Sequence, residues 1–137
     1  MVDELKIYTD GASRGNPGPA SAAYVIAKKD ETVLNEGSEF LGETTNNRAE
    51  YKAVIKALKM ASNYTEERVR VFSDSKLLVK QLQGEWKVKS DNIGPLFEEV
   101  KELTRSFDSV SFHHRNRDHE MISRADFLCN RELDRSS

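Results

Sequence analysis

Five segments of the chain have the pattern of β-strands, either alternating apolar and polar residues or a short apolar run. In chain order they are Leu5–Asp10, Ala22–Ala27, Val33–Leu41, Arg68–Ser73 and Ser109–His113. A turn cluster at Gly15–Pro19 and a hairpin at Asp30–Glu31 connect the first three strands through short links. These three strands are therefore predicted to form an antiparallel meander.

Four other segments have helical spacing of apolar residues or residues that favour helices. They are Asn47–Ala61, Ser75–Gln83, Pro95–Ser106 and Ile122–Leu133. Helices precede both the fourth and the fifth strand, and such crossovers favour parallel pairing. The predicted fold class is α/β: a five-stranded mixed sheet, antiparallel in its first three strands and parallel in the last two, flanked by helices.

Length and composition indicate one globular domain over residues 1–137. Hydrophobic residues make up 37% of the chain and charged residues 32%, which excludes collagen-like and disordered classes. The net charge is −2, from 21 Lys and Arg against 23 Asp and Glu. Any polyanion that this chain binds must therefore be met by local positive charge or by metal ions.

The single cysteine, Cys129, allows no internal disulfide and favours a reducing compartment. The longest apolar run, Ala22–Ala27, is too short to span a membrane. The start of the chain, Met1–Glu4, lacks the basic and apolar regions of a signal peptide. We therefore expect a soluble cytoplasmic protein, and a monomer is the simplest oligomeric state.

Two carboxylates stand where predicted strands end. Asp10 ends the first strand beside Gly11, and Asp74 follows the fourth strand just before a helix. Taken alone, a turn-forming role explains Asp10 as well as a functional role does. For Asp74 alone, stabilisation of the helix N-terminus by a negative charge is the stronger explanation.

Two further carboxylates lie on apolar faces of predicted helices. Glu50 shares a helical face with Val54, although Asn47, three residues earlier, also allows a capping box. Asp126 shares a face with Ile122, inside a helix where no cap explains an aspartate. A carboxylate in a core-facing position requires a partner, a proton or a metal ion.

Considered together, the four acids predict a metal site at one edge of the sheet. Carboxylates at close range repel and raise one another's pKa values, so the group is stable only when divalent cations bind it. Ligands that are all oxygen suit Mg²⁺ or Mn²⁺ rather than Zn²⁺. Two such ions are the usual arrangement for phosphodiester cleavage.

Four stretches of the sequence resemble, in the same order, the motifs of type 1 ribonuclease H. They are Thr9–Pro19 (TDGASRGNPGP), Thr44–Tyr51 (TTNNRAEY), Phe72–Ser75 (FSDS) and Arg124–Asn130 (RADFLCN). The resemblance implies the ribonuclease H-like fold and cleavage of the RNA strand of RNA–DNA hybrids. The products would carry 5′-phosphate and 3′-hydroxyl ends.

The resemblance also assigns the catalytic acids, which are Asp10, Glu50, Asp74 and Asp126. They would hold two Mg²⁺ ions, with Mn²⁺ as a substitute. Asp10 would contact both ions, and Asp126 would belong with the ion that activates water. Glu50 and Asp74 would belong with the ion on the leaving-group side.

Substrate-binding roles follow from the same resemblance. Asn16, Asn46 and Asn47 are expected to contact the minor groove, where 2′-hydroxyls distinguish RNA from DNA. Thr45 is expected to hold a phosphate of the DNA strand. Turn and helix-cap chemistry is the alternative explanation for all four residues.

An aromatic-basic patch lies at Trp86, Lys87 and Lys89, where substrate stacking and phosphate contacts are expected. Trp86 covering a helix junction is the alternative. Some relatives carry an extra basic helical protrusion at this place, and this chain is too short to hold one. Weaker substrate affinity, or dependence on a partner, is the expected consequence.

The loop before the last acid, His113–Glu120, departs from the family pattern. Relatives usually place a His or Arg there that assists proton transfer or product release. Here the loop is two residues longer than the common form, and Ile122 stands where Asn is frequent. Arg117 is the first candidate for this role and His119 the second, while a solvated basic loop is the alternative.

Three other functions compete with this interpretation. One is a related nuclease of broader specificity that also cuts double-stranded RNA. Another is a module that binds hybrids without cutting them, which would require a missing acid, and none is missing. A structural domain of a larger polymerase complex is the third. A panel of substrates, assayed with Mg²⁺ and with EDTA, separates the first two from a ribonuclease H.

Overall fold

The computed structural model describes residues 2–136, and its elements follow the predicted order β-β-β-α-β-α-α-β-α. The strands are β1 (Glu4–Ser13), β2 (Gly18–Lys28), β3 (Val33–Thr44), β4 (Arg68–Ser73) and β5 (Ser109–His114). The helices are α1 (Asn46–Ala61), α2 (Lys76–Leu82), α3 (Gly94–Thr104) and α4 (Glu120–Ser136). Predicted and observed bounds differ mainly at the ends of the strands.

The five strands form one mixed sheet in the order β3-β2-β1-β4-β5. β2 pairs with β3 on one side and with β1 on the other, and both pairs are antiparallel. β4 runs parallel to both β1 and β5. The predicted α/β fold class is thereby confirmed. Parallel strands need a long crossover connection. Helix α1 lies in the connection that leads to β4, and helices α2 and α3 lie in the connection from β4 to β5.

One predicted boundary is wrong: β1 does not end at Asp10. The strand continues to Ser13, where it still pairs with Ala20 of β2. Its pairing with β4 stops earlier, at Tyr8 opposite Phe72. The alternation of apolar and polar residues does stop at Gly11, but the antiparallel hairpin extends the strand. Asp10 therefore lies inside β1, just beyond the last residue that pairs with β4.

Apolar side chains fill both faces of the sheet. The larger cluster lies between the sheet and helices α1, α2 and α3. The smaller one packs α4 against the other face, through residues that include Tyr8, Val25, Phe72 and Leu128. Burying one such side chain stabilises the fold by about 1.5–3 kcal/mol. No helix within residues 2–136 is long and apolar enough to cross a membrane.

The close approach of α1 to β1 depends on Gly11. A Cβ atom at this position would lie 2.3 Å from the backbone carbon of Ala49 and 2.3 Å from the backbone nitrogen of Glu50. Since both contacts are backbone atoms, no side-chain rotation could relieve them. A residue without a side chain is thus required where α1 crosses β1, and it brings Glu50 against the strand that carries Asp10.

We predict that Gly11→Ala destabilises the protein by about 1–3 kcal/mol, because the added methyl group forces α1 away from β1. Chemical denaturation measures this difference. Gly94→Ala is the matched control, since a Cβ at Gly94 meets nothing within 4 Å. Equal stability of Gly11→Ala and Gly94→Ala would contradict this account of the packing.

Candidate active site

Three acids from distant parts of the chain meet at one edge of the sheet. Asp10, Glu50 and Asp74 each place a carboxylate oxygen within 4.8 Å of the other two. Asp10 and Glu50 are buried, and the side chain of Asp74 is only 10% exposed. We call these three residues the acidic cluster.

The N-terminus of α1 positions Glu50. Thr45 is the N-cap, and its hydroxyl accepts a hydrogen bond from the backbone N–H of Arg48. A capping box between Asn47 and Glu50 is therefore not formed, because Asn47 already lies inside the helix. Glu50 instead faces β1, close to Gly11.

Asp74 is positioned by the junction of β4 and α2. It follows the last residue of β4 and precedes Ser75, the N-cap of α2, whose hydroxyl accepts a hydrogen bond from the N–H of Leu78. Ser75 also lies close enough to Glu50 to lower the pKa of that residue. Ser75 was missed as a functional residue by sequence reasoning, although its place next to Asp74 was a usable signal.

Asp126 adds a fourth carboxylate from the opposite side of the sheet. It lies in α4, half-buried and close enough to Asp10 for its charge to raise the pKa of that residue. Asn130, one helical turn later, donates from Nδ2 to the backbone oxygen and Oδ1 of Asp126 at 3.0 and 3.3 Å. Sequence reasoning also missed this contact. The signal was that Asn130 follows Asp126 by four residues on one helix, which places the two side chains next to each other.

Burial and nearby negative charge raise the pKa values of two of the acids, Asp10 and Glu50. Burial first, and then the charges of Asp74 and Asp126, raise the pKa of Asp10 to about 8. Burial is also the main cause that raises the pKa of Glu50 to about 7, against the lowering effect of the neighbouring Ser75 side chain. Both groups therefore take up protons at a higher pH than ordinary carboxylates do.

One oxygen of the site has no hydrogen-bond donor. Asp10 Oδ2 is buried and without a partner among the residues that the structure describes. Leaving a buried carboxylate oxygen unsatisfied is unfavourable. A divalent cation would satisfy it, and the all-oxygen donor set of the acidic cluster suits a hard cation. The residues present therefore fit a divalent metal ion.

Arg117 and His119, the two loop candidates, occupy different places. Arg117 Nε donates to Asp74 Oδ2 at 3.0 Å, while its guanidinium remains largely exposed. His119 stacks on Tyr8 with ring centroids 5.3 Å apart, and its Nδ1 accepts a hydrogen bond from the N–H of Met121. Of the two, the structure brings only Arg117 into contact with the acidic cluster.

The polar residues expected to bind substrate gather at the N-terminus of α1. Asn16 Oδ1 accepts a hydrogen bond from the N–H of Asn46 at 3.1 Å, which connects the turn after β1 to the helix. Asn46 and Asn47 are the first two residues of α1, directly after the cap Thr45. The cap and turn chemistry proposed as the alternative for Asn16 and Thr45 is thus present in the structure.

The aromatic-basic patch lies in the segment between α2 and α3. Trp86, Lys87 and Lys89 are all exposed there. Trp86 lines a shallow depression together with Val88 and Phe97, and 45% of its surface remains accessible. The structure gives no contact between these three residues and the acidic cluster.

A thiol nucleophile is not supported by the geometry. Cys129 lies on the buried face of α4, and its sulfur is 2.9 Å from the hydroxyl oxygen of Ser21. Burial raises the pKa of the Cys129 thiol to about 12, so the reactive thiolate is scarce at neutral pH. The carboxylates are the chemically active groups of this edge.

The sequence of this chain is similar to those of known nucleases. Residues 8–132 match the family model described as "Reverse transcriptase-like". Ribonuclease HI of Halobacterium salinarum is 39% identical over 127 residues, covering 93% of this chain and 63% of that protein. Ribonuclease HI of Helicobacter pylori is 34% identical over 119 residues, covering 82% of this chain and 76% of that protein. The chain therefore spans less than two thirds of the Halobacterium relative and about three quarters of the Helicobacter one.

Solved structures show the same fold. The crystal structure of RNase H1 from Halobacterium salinarum has a TM-score of 0.90 at 37% identity, over 96% of this chain and 98% of that one. LC11-RNase H1, solved in complex with an RNA/DNA hybrid, has a TM-score of 0.88 at 37% identity over the same shares. Fold, acidic cluster and sequence similarity agree, and the chain belongs to the type 1 ribonuclease H family.

Proposed function

We propose that this chain is an endonuclease that hydrolyses the RNA strand of RNA–DNA hybrids and leaves 5′-phosphate and 3′-hydroxyl ends. The observation that carries the proposal is the buried acidic cluster, in which Asp10 Oδ2 has no donor among residues 2–136. The relative LC11-RNase H1, which was solved with a hybrid, supports this substrate class. We further propose a cytoplasmic monomer whose residues 1–137 form a single ribonuclease H domain.

Two Mg²⁺ ions, or Mn²⁺ in their place, are the proposed cofactors. Asp10 faces both Asp74 and Asp126, so it is the residue assigned to both ions. Glu50 and Asp74 would hold the ion on the leaving-group side, and Asp126 the ion on the water side. When bound, the ions activate the attacking water and stabilise the charge that develops on the phosphate and the leaving 3′-oxygen.

The remaining side chains bind and orient the substrate. Asn16, Asn46 and Asn47 present amide groups to the minor groove, where 2′-hydroxyls distinguish RNA. Thr45 holds a phosphate of the DNA strand at the N-terminus of α1, a position that favours anions. The exposed residues Trp86, Lys87 and Lys89 provide stacking and phosphate contacts further along the hybrid.

Arg117 assists the reaction more directly than His119 does. Its guanidinium is mostly exposed, yet it touches Asp74, so it reaches the place where a substrate phosphate would meet the acidic cluster. From there it stabilises negative charge during cleavage or on the departing product. His119 serves the start of α4 through its bond to Met121.

We expect the wild-type protein to cut a labelled RNA–DNA hybrid with Mg²⁺ and not with EDTA. Asp10→Asn should lower the cleavage rate by roughly 100-fold or more, because it removes the carboxylate assigned to both ions. Gel analysis of the hybrid measures both effects. An Asp10→Asn variant that stays fully active with Mg²⁺ would refute the assignment.

Controls in the same assay separate the competing functions. Single-stranded RNA, duplex RNA and duplex DNA are tested alongside the hybrid. Equal cleavage of duplex RNA would indicate a nuclease of broader specificity. Binding of the hybrid without any cleavage would indicate a non-cleaving module.

A second prediction concerns stability without metal. The raised pKa values of Asp10 and Glu50 mean that the folded protein binds more protons than the unfolded chain. The contribution of these two groups to stability should therefore be greatest at acidic pH and be lost as the pH rises towards about 8. Asp10→Asn removes a carboxyl group whose ionisation causes part of this loss of stability. The melting temperature of the variant in EDTA at pH 8.5 should therefore exceed that of the wild type.

Thermal melts in EDTA at pH 5.5 and pH 8.5 test this prediction. Asp91→Asn is the control, because Asp91 is an exposed loop residue whose loss should leave the pH dependence unchanged. A clearly lower melting temperature for Asp10→Asn at pH 8.5 would show that the Asp10 carboxylate is structural.

A third prediction distinguishes the two loop residues. Arg117→Gln should lower kcat for hybrid cleavage by roughly 10- to 100-fold, because it removes a positive charge beside the acidic cluster. His119→Gln should leave kcat within about two-fold and lower the melting temperature instead, since it disturbs the cap of α4 and the stacking on Tyr8. The reverse pattern would assign the role to His119.

A further inference from the structure

Two arginines converge on one aromatic ring beside the candidate active site. The guanidinium carbons of Arg70 and Arg115 lie 5.3 and 4.8 Å from the centroid of the Phe72 ring. His113 stacks on the same ring at 5.2 Å. We call the two arginines, Arg70 and Arg115, the cationic patch.

The arginines of the patch are not paired with a carboxylate among residues 2–136. Neither Arg70 nor Arg115 forms an ion pair within the described part of the chain, whereas most other arginines do. Those that pair with an acid are Arg14, Arg68, Arg105, Arg117, Arg124 and Arg135. Burial and the charges of Arg70 and Arg115 lower the pKa of His113, so each added positive charge at this place is unfavourable. Contact with the face of Phe72 offsets only part of that repulsion.

The location of the patch connects it to the acidic cluster. The N–H of Arg115 donates to the backbone oxygen of Ser73 at 3.0 Å, and Asp74 is the next residue. Phe72 lies two residues before Asp74 and therefore on the same face of the chain, about 7 Å away along the strand. A nucleic-acid strand carries one phosphate per 3.4 Å of helix axis, about this scale. A strand that has one phosphate at the acidic cluster and runs along β4 would therefore reach the patch within one or two further nucleotides.

We propose that Arg70 and Arg115 form a phosphate-binding subsite for the nucleic-acid strand that runs from the acidic cluster across β4 and β5. This proposal rests on the proposed function for its substrate class. A guanidinium can bind a phosphate through two parallel hydrogen bonds, and Phe72 restricts its orientation beforehand. Because the chain has a net charge of −2, a local subsite of this kind supplies attraction that the protein as a whole lacks.

Hybrid binding as a function of salt concentration tests the subsite. All proteins carry Asp10→Asn, to limit turnover, and binding of a fluorescent RNA–DNA hybrid is measured by anisotropy with Mg²⁺ present. Adding Arg70→Gln and Arg115→Gln together should weaken binding several-fold. It should also reduce the slope of log K against log [salt] by about 1.4–1.8, the value for two lost phosphate contacts.

Two matched variants complete the experiment. Arg70→Lys with Arg115→Lys keeps both charges, so the slope should stay close to that of the parent. Arg105→Gln with Arg135→Gln removes the same charge from arginines that each pair with a glutamate three residues earlier. This pair should leave affinity and slope unchanged. Circular dichroism and thermal melts confirm that each variant is folded.

Each outcome decides the question. Unchanged affinity and slope in the Arg70→Gln and Arg115→Gln variant would overturn the subsite, as would an equal loss in the Arg105→Gln and Arg135→Gln variant. If the parent binds another nucleic acid better than the hybrid, and the glutamine variant loses that slope, the subsite stands and the proposed function fails. A parent that binds no nucleic acid would overturn both.

Discussion

Repulsion among buried carboxylates is the constraint on which this structure depends. Asp10, Glu50 and Asp74 lie within 4.8 Å of one another, in a place where water is largely excluded. Such a group costs stability unless protons or cations neutralise it. The fold nevertheless holds it in place, because each acid belongs to an element whose position is decided by packing elsewhere. The acidic cluster is therefore a strained but preorganised arrangement, as expected of a functional site.

The packing that enforces the cluster combines one close backbone approach, one strand pairing and one apolar cluster. Gly11 lets α1 approach β1 more closely than any side chain would allow. Parallel pairing of β1 with β4 brings the residues after Tyr8 and Phe72 to the same edge of the sheet. Asp126 then arrives from the other face on α4, held by the smaller apolar cluster. Three separate packing interactions thus converge on one edge, which explains why the acids cannot move apart.

Charge is distributed unevenly around this edge. The chain as a whole is slightly acidic, yet the loop after β5 brings Arg117 to Asp74 and Arg115 to Phe72. Positive groups thus border the acidic cluster on its β5 side, while amide groups and a helix N-terminus border it near Thr45. A polyanionic strand that meets cations at the cluster would find favourable contacts on both sides. Local arrangement therefore compensates for the absence of a general positive field.

Much of the architecture and of the candidate site could be predicted from local pattern. Alternation and helical spacing predicted all nine elements in order, and the sequence motifs pointed to the family. The end of β1 was predicted wrongly because the pattern stops at Gly11, while pairing with β2 carries the strand on to Ser13. The capping box at Asn47 was an open alternative because Thr45 and Asn47 are both good cap residues, and only the helix register selects between them.

The sequence by itself determined the order of the elements and the chemistry available, since both depend on short-range spacing and on residue type. Only the tertiary structure decided which of these groups meet. It places Arg117 against Asp74 and His119 against Tyr8, although the two residues are neighbours in the same loop. It also brings Arg115, which follows β5, to the ring of Phe72, where Arg70 already lies two residues earlier on the same strand, because strand pairing joins segments far apart in the chain.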